Sequence, residues 1–281
     1  MSRFRQKPLR TKAWPITAFT KDYPRGWHVP KHRHRRGQLI YAISGVMHVT
    51  TREGIWIVPP QRSLWIPLGM QHEIHMEGQV AVRMLYMDRP SSALFGSHCK
   101  VLAVSALLRE LILEAVLAHA EKRRERMAML APLLLHELQA ADETALHIPV
   151  PSDPRLKHVC QRLLAGTSRV ETLEQLAAHV GASSRTLARL FESELKMSFV
   201  RWRQHVRLAR ALSQISQGQA IKTVARDAGY ASCSAFSNMF HRVLGITPTH
   251  YMKQAVEPSM ASSCSRLSPL PSSLPRRMTA R

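Results

Sequence analysis

LEQLAAHVGASSRTLARLFESELKMSFVRW, Leu173 to Trp202, and IKTVARDAGYASCSAFSNMFHRVLGITPTHY, Ile221 to Tyr251, are two copies of one pattern. Leu173, Leu176, Ala177, Val180 and Gly181 return as Ile221, Val224, Ala225, Ala228 and Gly229. After a one-residue insertion, Leu187, Leu190, Phe191, Leu195, Met197 and Trp202 return as Phe236, Met239, Phe240, Leu244, Ile246 and Tyr251. Each copy predicts a helix-turn-helix. Ala177 or Ala225 leaves room for a second helix to cross closely. Gly181 or Gly229 can then take the positive φ of a tight turn. Ser183 and Ser232 offer N-cap oxygens to a second amphipathic helix. The two units are expected over residues 172–195 and 220–244.

The outer face of each second helix is what can enter a major groove. In the first copy it carries Ser184, Arg185, Ala188 and Arg189, with the two arginines one turn apart. Arginine pairs bidentately with guanine, which is worth about 1–3 kcal/mol of discrimination per contact. In the second copy the same face offers Cys233, Ser234, Ser237 and Asn238, which can hydrogen-bond but include no arginine. Between the copies, FVRWRQHVRLARALSQIS predicts one helix bearing Arg201, Arg203, Arg207 and Arg210. Its span of about 27 Å is of the order of one DNA turn, about 34 Å. Arg201, Arg203 and Arg207, with Thr223 and Arg242 of the second copy, are candidates for gripping phosphate. A single helical hairpin with a glycine turn is common in ordinary α-domains. Two aligned copies on a basic connecting helix are not.

Charge points the same way. Forty Lys and Arg against 19 Asp and Glu give a formal net charge of +21, which calls for a polyanionic partner. Nucleic acid and an anionic membrane surface both qualify, so charge alone does not choose. From Arg155 to Lys253 the balance is 15 basic to 5 acidic, whereas Ser91 to Val150 is nearly neutral at 6 to 7. The four cysteines are scattered without a CxxC pair, so a zinc ribbon or disulfide framework is not expected and a reducing cytoplasm is. The most apolar stretch, VLAVSALLRELILEAVLAHA, contains Arg109, Glu110 and Glu114 and is too charged to span a bilayer.

Gln38 to Met87 carries short β-branched and aromatic runs: GQLIYAI, VMHVTT, IWIVPP, SLWIP, HEIHM and VAVRMLYM. Ser44-Gly45, Glu53-Gly54 and Gly78 look like turns between them, and an antiparallel sandwich or barrel is expected. From about Ala103 the period becomes helical. Leu107, Leu108, Leu111, Ala115 and Ala118 form one stripe, and Met127, Leu130, Leu134 and Leu138 another. HIPVPSDP, with three prolines, predicts a linker, and the Ser- and Pro-rich end of the chain predicts disorder.

The segment from about Asp153 to Lys253 resembles the DNA-binding domain of AraC/XylS-type transcriptional regulators. The most specific part is DAGYASCSAFSNMFHRVLGITPTHYM, with Gly229-Tyr230, Phe236, Phe240, Gly245, Thr247-Pro248 and Tyr251 in the family's places. The resemblance implies base contacts by Arg185, Ala188 and Arg189 on the first recognition helix and by Cys233, Ser234 and Asn238 on the second. Asn238 stands where many relatives carry arginine, which shifts the second unit toward phosphate binding.

In GWHVPKHRHRRGQLIYAISG, Gly26 is followed by His32-x-His34, Gln38 and Gly45, and IPLGMQHEI adds Pro67-x-Gly69 and His72. This resembles the two motifs of the cupin β-barrel, whose metal-binding members use three histidines and a glutamate. Gln38 holds the glutamate's place. His32, His34, Gln38 and His72 are therefore candidates for an effector or a divalent metal, with Trp56 and Trp65 as candidate lining residues. The bland alternative is a basic surface run whose histidines merely line an apolar pocket.

The expected architecture is α+β. A basic tail (1–20) precedes a cupin-like antiparallel β-barrel that senses ligand (21–90). Linking or dimerisation helices (91–148), an all-α DNA-binding domain with two helix-turn-helix units (153–253) and a disordered tail (254–281) follow. The expected function is sequence-specific regulation of transcription. It needs double-stranded promoter DNA, RNA polymerase, an unknown small-molecule effector and a candidate homodimer, with no membrane and no required cofactor. The chain is not expected to be an enzyme. A metal-dependent cupin enzyme fused to a DNA module, and a non-specific nucleoid-like binder, are the competing readings.

Overall fold

Apolar residues on either side of Gly45 pair with those on either side of Gly78, and the product is one long bent ribbon. Strands β3 (Gly37–Thr51) and β6 (His72–Met87) run antiparallel from Gly37 opposite Met87 to Thr51 opposite His72, with register shifts around Ser44. Gly45 has φ +73°, and a Cβ there would lie 2.4 Å from the Gln79 carbonyl oxygen, so the bend needs glycine. The computed structural model describes residues 14–144, 146–165 and 171–256.

The bend gives the two halves of the ribbon different neighbours. One half is flanked by β1 (Ile16–Tyr23) on the β6 side, and by β5 (Arg62–Ile66) and then β7 (Lys100–Ala103) on the β3 side. The other half is flanked by β2 (His28–His32), and by β4 (Gly54–Val58) and then β8 (His147–Pro149). Every pairing is antiparallel, and the two halves curl into a barrel-like sandwich.

Period-two alternation explains why these strands are apolar on both faces. Ile40, Ala42, Val82 and Met84 belong to the cluster inside the barrel. Leu39, Tyr41, Leu85 and Met87 turn outward and meet two helices, α2 (Ala106–Ala120) and α3 (Arg124–Ala140). Ser105 caps α2, its side chain accepting from the Leu108 amide at 3.0 Å. The stripe Met127, Leu130, Leu134 and Leu138 is buried as expected. Leu107 is not, at 51% exposed; Ile112 takes the place expected of it in the core.

Several expected boundaries move. Ser44-Gly45 and Gly78 are bends within strands, not turns between them. The sheet begins at Ile16, so residues 16–20 are strand and not tail; residues 1–13 lie outside the described residues. The 91–148 segment is not purely helical, because β7 and the start of β8 come from it, and β8 takes the first part of the expected linker. These pieces are three or four residues long and carry too little pattern to be seen alone. A five-residue helix, α1 (Arg89–Ala93), is capped by Asp88 after β6.

The remaining chain is helical: α4 (Pro154–Ala165), α5 (Leu173–His179), α6 (Ser184–Leu195), α7 (Phe199–Ser216), α8 (Ile221–Asp227), α9 (Cys233–Leu244) and α10 (Pro248–Val256). Helix α10 runs three residues into the stretch expected to be disordered, and residues 257–281 lie outside the described residues. Among the described residues, no helix is long and apolar enough to cross a membrane.

Candidate DNA interface and histidine site

The repeat builds two hairpins whose turns are as expected. Gly181 and Gly229 have φ +62° and +78°. Ser183 and Ser232 cap the second helices, accepting from the Thr186 and Ala235 amides at 3.1 Å each. Thr172 and Gln175 form a capping box on α5. The inner faces are Leu187, Phe191 and Leu195 in one unit and Phe236, Met239, Phe240 and Leu244 in the other, all buried. That leaves Arg185, Arg189, Cys233, Ser234 and Asn238 exposed, and Ser184, Ala188 and Ser237 half-buried beside them. The base-reading candidates thus form the outward faces of α6 and α9, joined by the 18-residue α7.

The phosphate candidates divide. Arg201 and Arg242 are exposed and Thr223 half-buried. Arg203 is instead turned into the domain, donating to the Glu171 carbonyl at 3.2 Å with its guanidinium 4.9 Å from the Phe199 ring centroid. Arg207 packs on the second turn: a Cβ on Gly229 would be 3.3 Å from its guanidinium carbon. Arg210 donates to the Leu163 and Leu164 carbonyls that end α4. Some of the basic character of α7 therefore holds helices together.

Helix α7 is also the seat of the helical domain on the barrel. Trp202 Nε1 donates to the Pro149 carbonyl at 3.2 Å and His205 Nδ1 to the His147 carbonyl at 2.9 Å. Ser213 Oγ donates to the Glu77 carboxylate, and Gln217 Nε2 donates to it at 3.3 Å. From β5, Arg62 Nη2 donates to the Leu244 carbonyl at the end of α9, 2.6 Å away. One apolar cluster runs from the barrel interior into the helices.

At this junction the half-buried His48 lies 3.9 Å from Glu77. Burial holds its pKa below the ordinary 6.5, against the pull of Glu77 and with help from His75. The unfolded chain therefore binds the proton first as pH falls, and stability present above about pH 6.5 is lost below it. Melting temperature is expected to drop between pH 7.5 and 5.5, and His48→Asn to reduce that drop. An unchanged slope in the variant would clear His48 of the effect.

The second site lies where β2 meets β6. His32 is the cross-strand partner of His72, and His34 follows in the link to β3. The ring centroids of His32 and His72 are 4.3 Å apart, and those of His34 and His72 5.4 Å. One ring nitrogen from each of the three lies within 4.8 Å of the others. Backbone carbonyls set the tautomers: His32 Nδ1 donates to Pro30 at 2.8 Å and His72 Nδ1 to Met70 at 3.0 Å. In the neutral form of each ring this leaves Nε2 its lone pair, the arrangement that second-shell contacts impose on ligating histidines. His34 and His72 are both held at about 4, chiefly by burial, so they are neutral at pH 7.

Gln38 is 2% exposed and donates to the Tyr86 hydroxyl at 3.1 Å, with Tyr86 edge-on to His34 at 5.1 Å. Gln38 Oε1, His34 Nε2 and His72 Nε2 are all buried without a partner. Such atoms are costly unless something else satisfies them. No sequence signal marked Tyr86; only the β3–β6 register, which sets it opposite Gln38, brings it in. The tryptophans proposed as lining go elsewhere. Trp65 faces outward with Phe95, and Trp56 stacks on His147 at 3.9 Å.

Two helix-turn-helix units presenting polar faces, seated on a barrel with a partnerless polar cluster, define a DNA-binding regulator with a ligand-binding half. Residues 176–254 match the helix-turn-helix domain family and residues 14–136 the AraC-like ligand binding domain family. The chain is similar to the HTH-type transcriptional regulator NimR of Escherichia coli (strain K12), 35% identical over 235 residues that cover 83% of this chain and 86% of that protein. It is also similar to the HTH-type transcriptional regulator RipA of Corynebacterium glutamicum (32% over 103 residues, 37% of this chain and 31% of that one). Similarity to the Arabinose operon regulatory protein of Escherichia coli (strain K12) is 31% over 127 residues, 44% of this chain and 42% of that one. The chain belongs to the AraC-type family of helix-turn-helix transcriptional regulators.

Proposed function

We propose that this regulator is a one-component bacterial switch in the cytoplasm, in which an effector held by the barrel alters how α6 and α9 engage promoter DNA in concert with RNA polymerase. The observation that carries this reading is the shared core between the barrel and α7, the helix that spaces the two reading faces. Genome-wide footprinting tests it: discrete promoter sites are expected, and broad coverage of the chromosome would favour a packaging protein instead. A homodimer is part of the reading. On α3, Met129 (65% exposed) and Leu133 (42% exposed) form an apolar stripe one turn apart that a second copy would cover.

The histidine cluster suits a divalent transition metal as well as an organic effector. Three imidazoles and an amide oxygen favour zinc, nickel, cobalt or copper over magnesium or calcium. Gln38 brings no charge, so binding is expected to be weaker than with a carboxylate there. Protein titrated with nickel is expected to take up one equivalent per chain, and His72→Ala to take up none at that site. Equal uptake by the variant would remove the metal from the reading and leave the regulator intact.

A further inference from the structure

A cleft lies beside the histidine cluster and shares none of its four candidate residues. Its volume is about 900 Å³, within the size range of small-molecule sites. Its walls come from three distant parts of the chain: Lys31 on β2, Thr50 to Arg52 at the end of β3, and the α1 segment from Arg89 to Ser97. The loop Pro67–Gln71 between β5 and β6 forms the remaining wall. Leu68, Met70 and Ala93 supply apolar surface.

The charges are one-sided. Lys31, Arg52 and Arg89 line the cleft against a single acid, Glu73, which lies 3.8 Å from His28. Among the described residues, none of these three cationic heads takes part in an ion pair or a hydrogen bond. Two half-buried cations elsewhere on the barrel are paired: Arg83 lies 3.6 Å from Asp22, and Lys100 3.9 Å from Glu143. Three unpaired cations that converge from separate segments on an apolar wall make a site for an anion with an apolar body.

We propose that this cleft binds a small organic anion, a carboxylate or phosphate carried on an apolar group, with Arg52 and Arg89 holding the charge and Leu68 and Met70 the body. Guanidinium groups suit both head groups because their paired N–H donors match two oxygens at once. The shared wall gives the site a connection to the histidines. The Gly69 amide donates to the His34 carbonyl at 2.9 Å, and Met70 supplies the carbonyl that fixes the His72 tautomer. A ligand against this loop presses on the backbone that positions both rings.

The proposal rests on the barrel being the ligand-binding half of the regulator. Its test uses the full chain, free of DNA, in low salt, with three probes: benzoate, phenyl phosphate and the neutral benzamide. Calorimetric titration is expected to show one site per chain for at least one of the two anions, with benzamide binding at least tenfold more weakly. Added salt is expected to weaken the anion. The double variant Arg52→Glu and Arg89→Glu, altered at two exposed side chains, is expected to lose anion affinity at least tenfold.

Binding of benzamide as tight as that of the anions, no binding of either anion, or an unchanged affinity in the double variant would each overturn the proposal. The last result would place the anion elsewhere, on the cationic helices. If the double variant fails to fold, Arg52→Gln with Arg89→Gln carries the same expectations. DNA affinity of the same preparations without probe reports separately on the regulator reading.

Discussion

Arg189→Ala is expected to lower affinity for a cognate DNA site by about 1–3 kcal/mol, roughly five- to 150-fold, and affinity for random DNA far less. Arg189 is exposed on α6, one turn from Arg185, and is in no ion pair among the described residues. Its guanidinium fork is therefore free to meet a base edge. A residue that only neutralises phosphate would lose equally on both DNAs, because that contact carries no sequence information. Arg201, exposed at the start of α7, is the internal comparison, and Arg201→Ala is expected to show that uniform loss with a shallower salt dependence. Arg203 makes a poor comparison, since it braces the Glu171 carbonyl and its removal would also disturb packing. Anisotropy titrations on cognate and scrambled duplexes at two salt concentrations would decide. Equal losses on the two duplexes from Arg189→Ala would remove base reading from α6.

The other large effect is expected in stability. Trp202 is fully buried, with ring centroids 5.9 Å from Phe191, and its indole N–H donates across the domain junction to Pro149. Trp202→Ala is expected to destabilise the chain by about 3–5 kcal/mol, from lost apolar burial and the cavity left behind. The Pro149 carbonyl loses its donor as well. Because the residue ties both domains, urea denaturation followed by probes in the barrel and in the helices should shift together. A shift confined to the helical domain would show that the junction contributes little. Trp202→Phe, which keeps the ring and drops the donor, is expected to cost far less.

The helical domain was largely legible because its information is local and repeated. A glycine at the turn, a serine at the cap and an apolar stripe at helical spacing are each decided within a few residues, and Gly181, Ser183 and Leu187 sit where that logic puts them. The barrel was less legible because its strands are completed by distant partners. Gly45 and Gly78 carry a turn's composition, yet they bend two strands that stay paired across them. Strand β1, ITAFTKDY, has little apolar alternation of its own and is held by β6 on one side. The same holds at the histidines. The resemblance to the cupin motifs announces that His32, His34 and His72 cluster, but Tyr86, the Pro30 and Met70 carbonyls and the cationic cleft alongside depend on how the chain returns to that place. Arg203 and Arg210 show the converse limit: a row of arginines looks the same whether it awaits a phosphate or already grips a carbonyl.

Strand β5 is short, about 17 Å from end to end, and both of its ends are occupied. Arg62 at its beginning grips the final carbonyl of α9, and its last residue leads straight into the loop that backs onto His72 and the cleft. Hydrogen-bonded along its length to β3 and β7, it behaves as a strut, stiff in the direction that joins sensor to reader. The seating of α9 is thus set partly by a side chain that belongs to the other domain, at the far end of the strand that the loop lining the cleft extends.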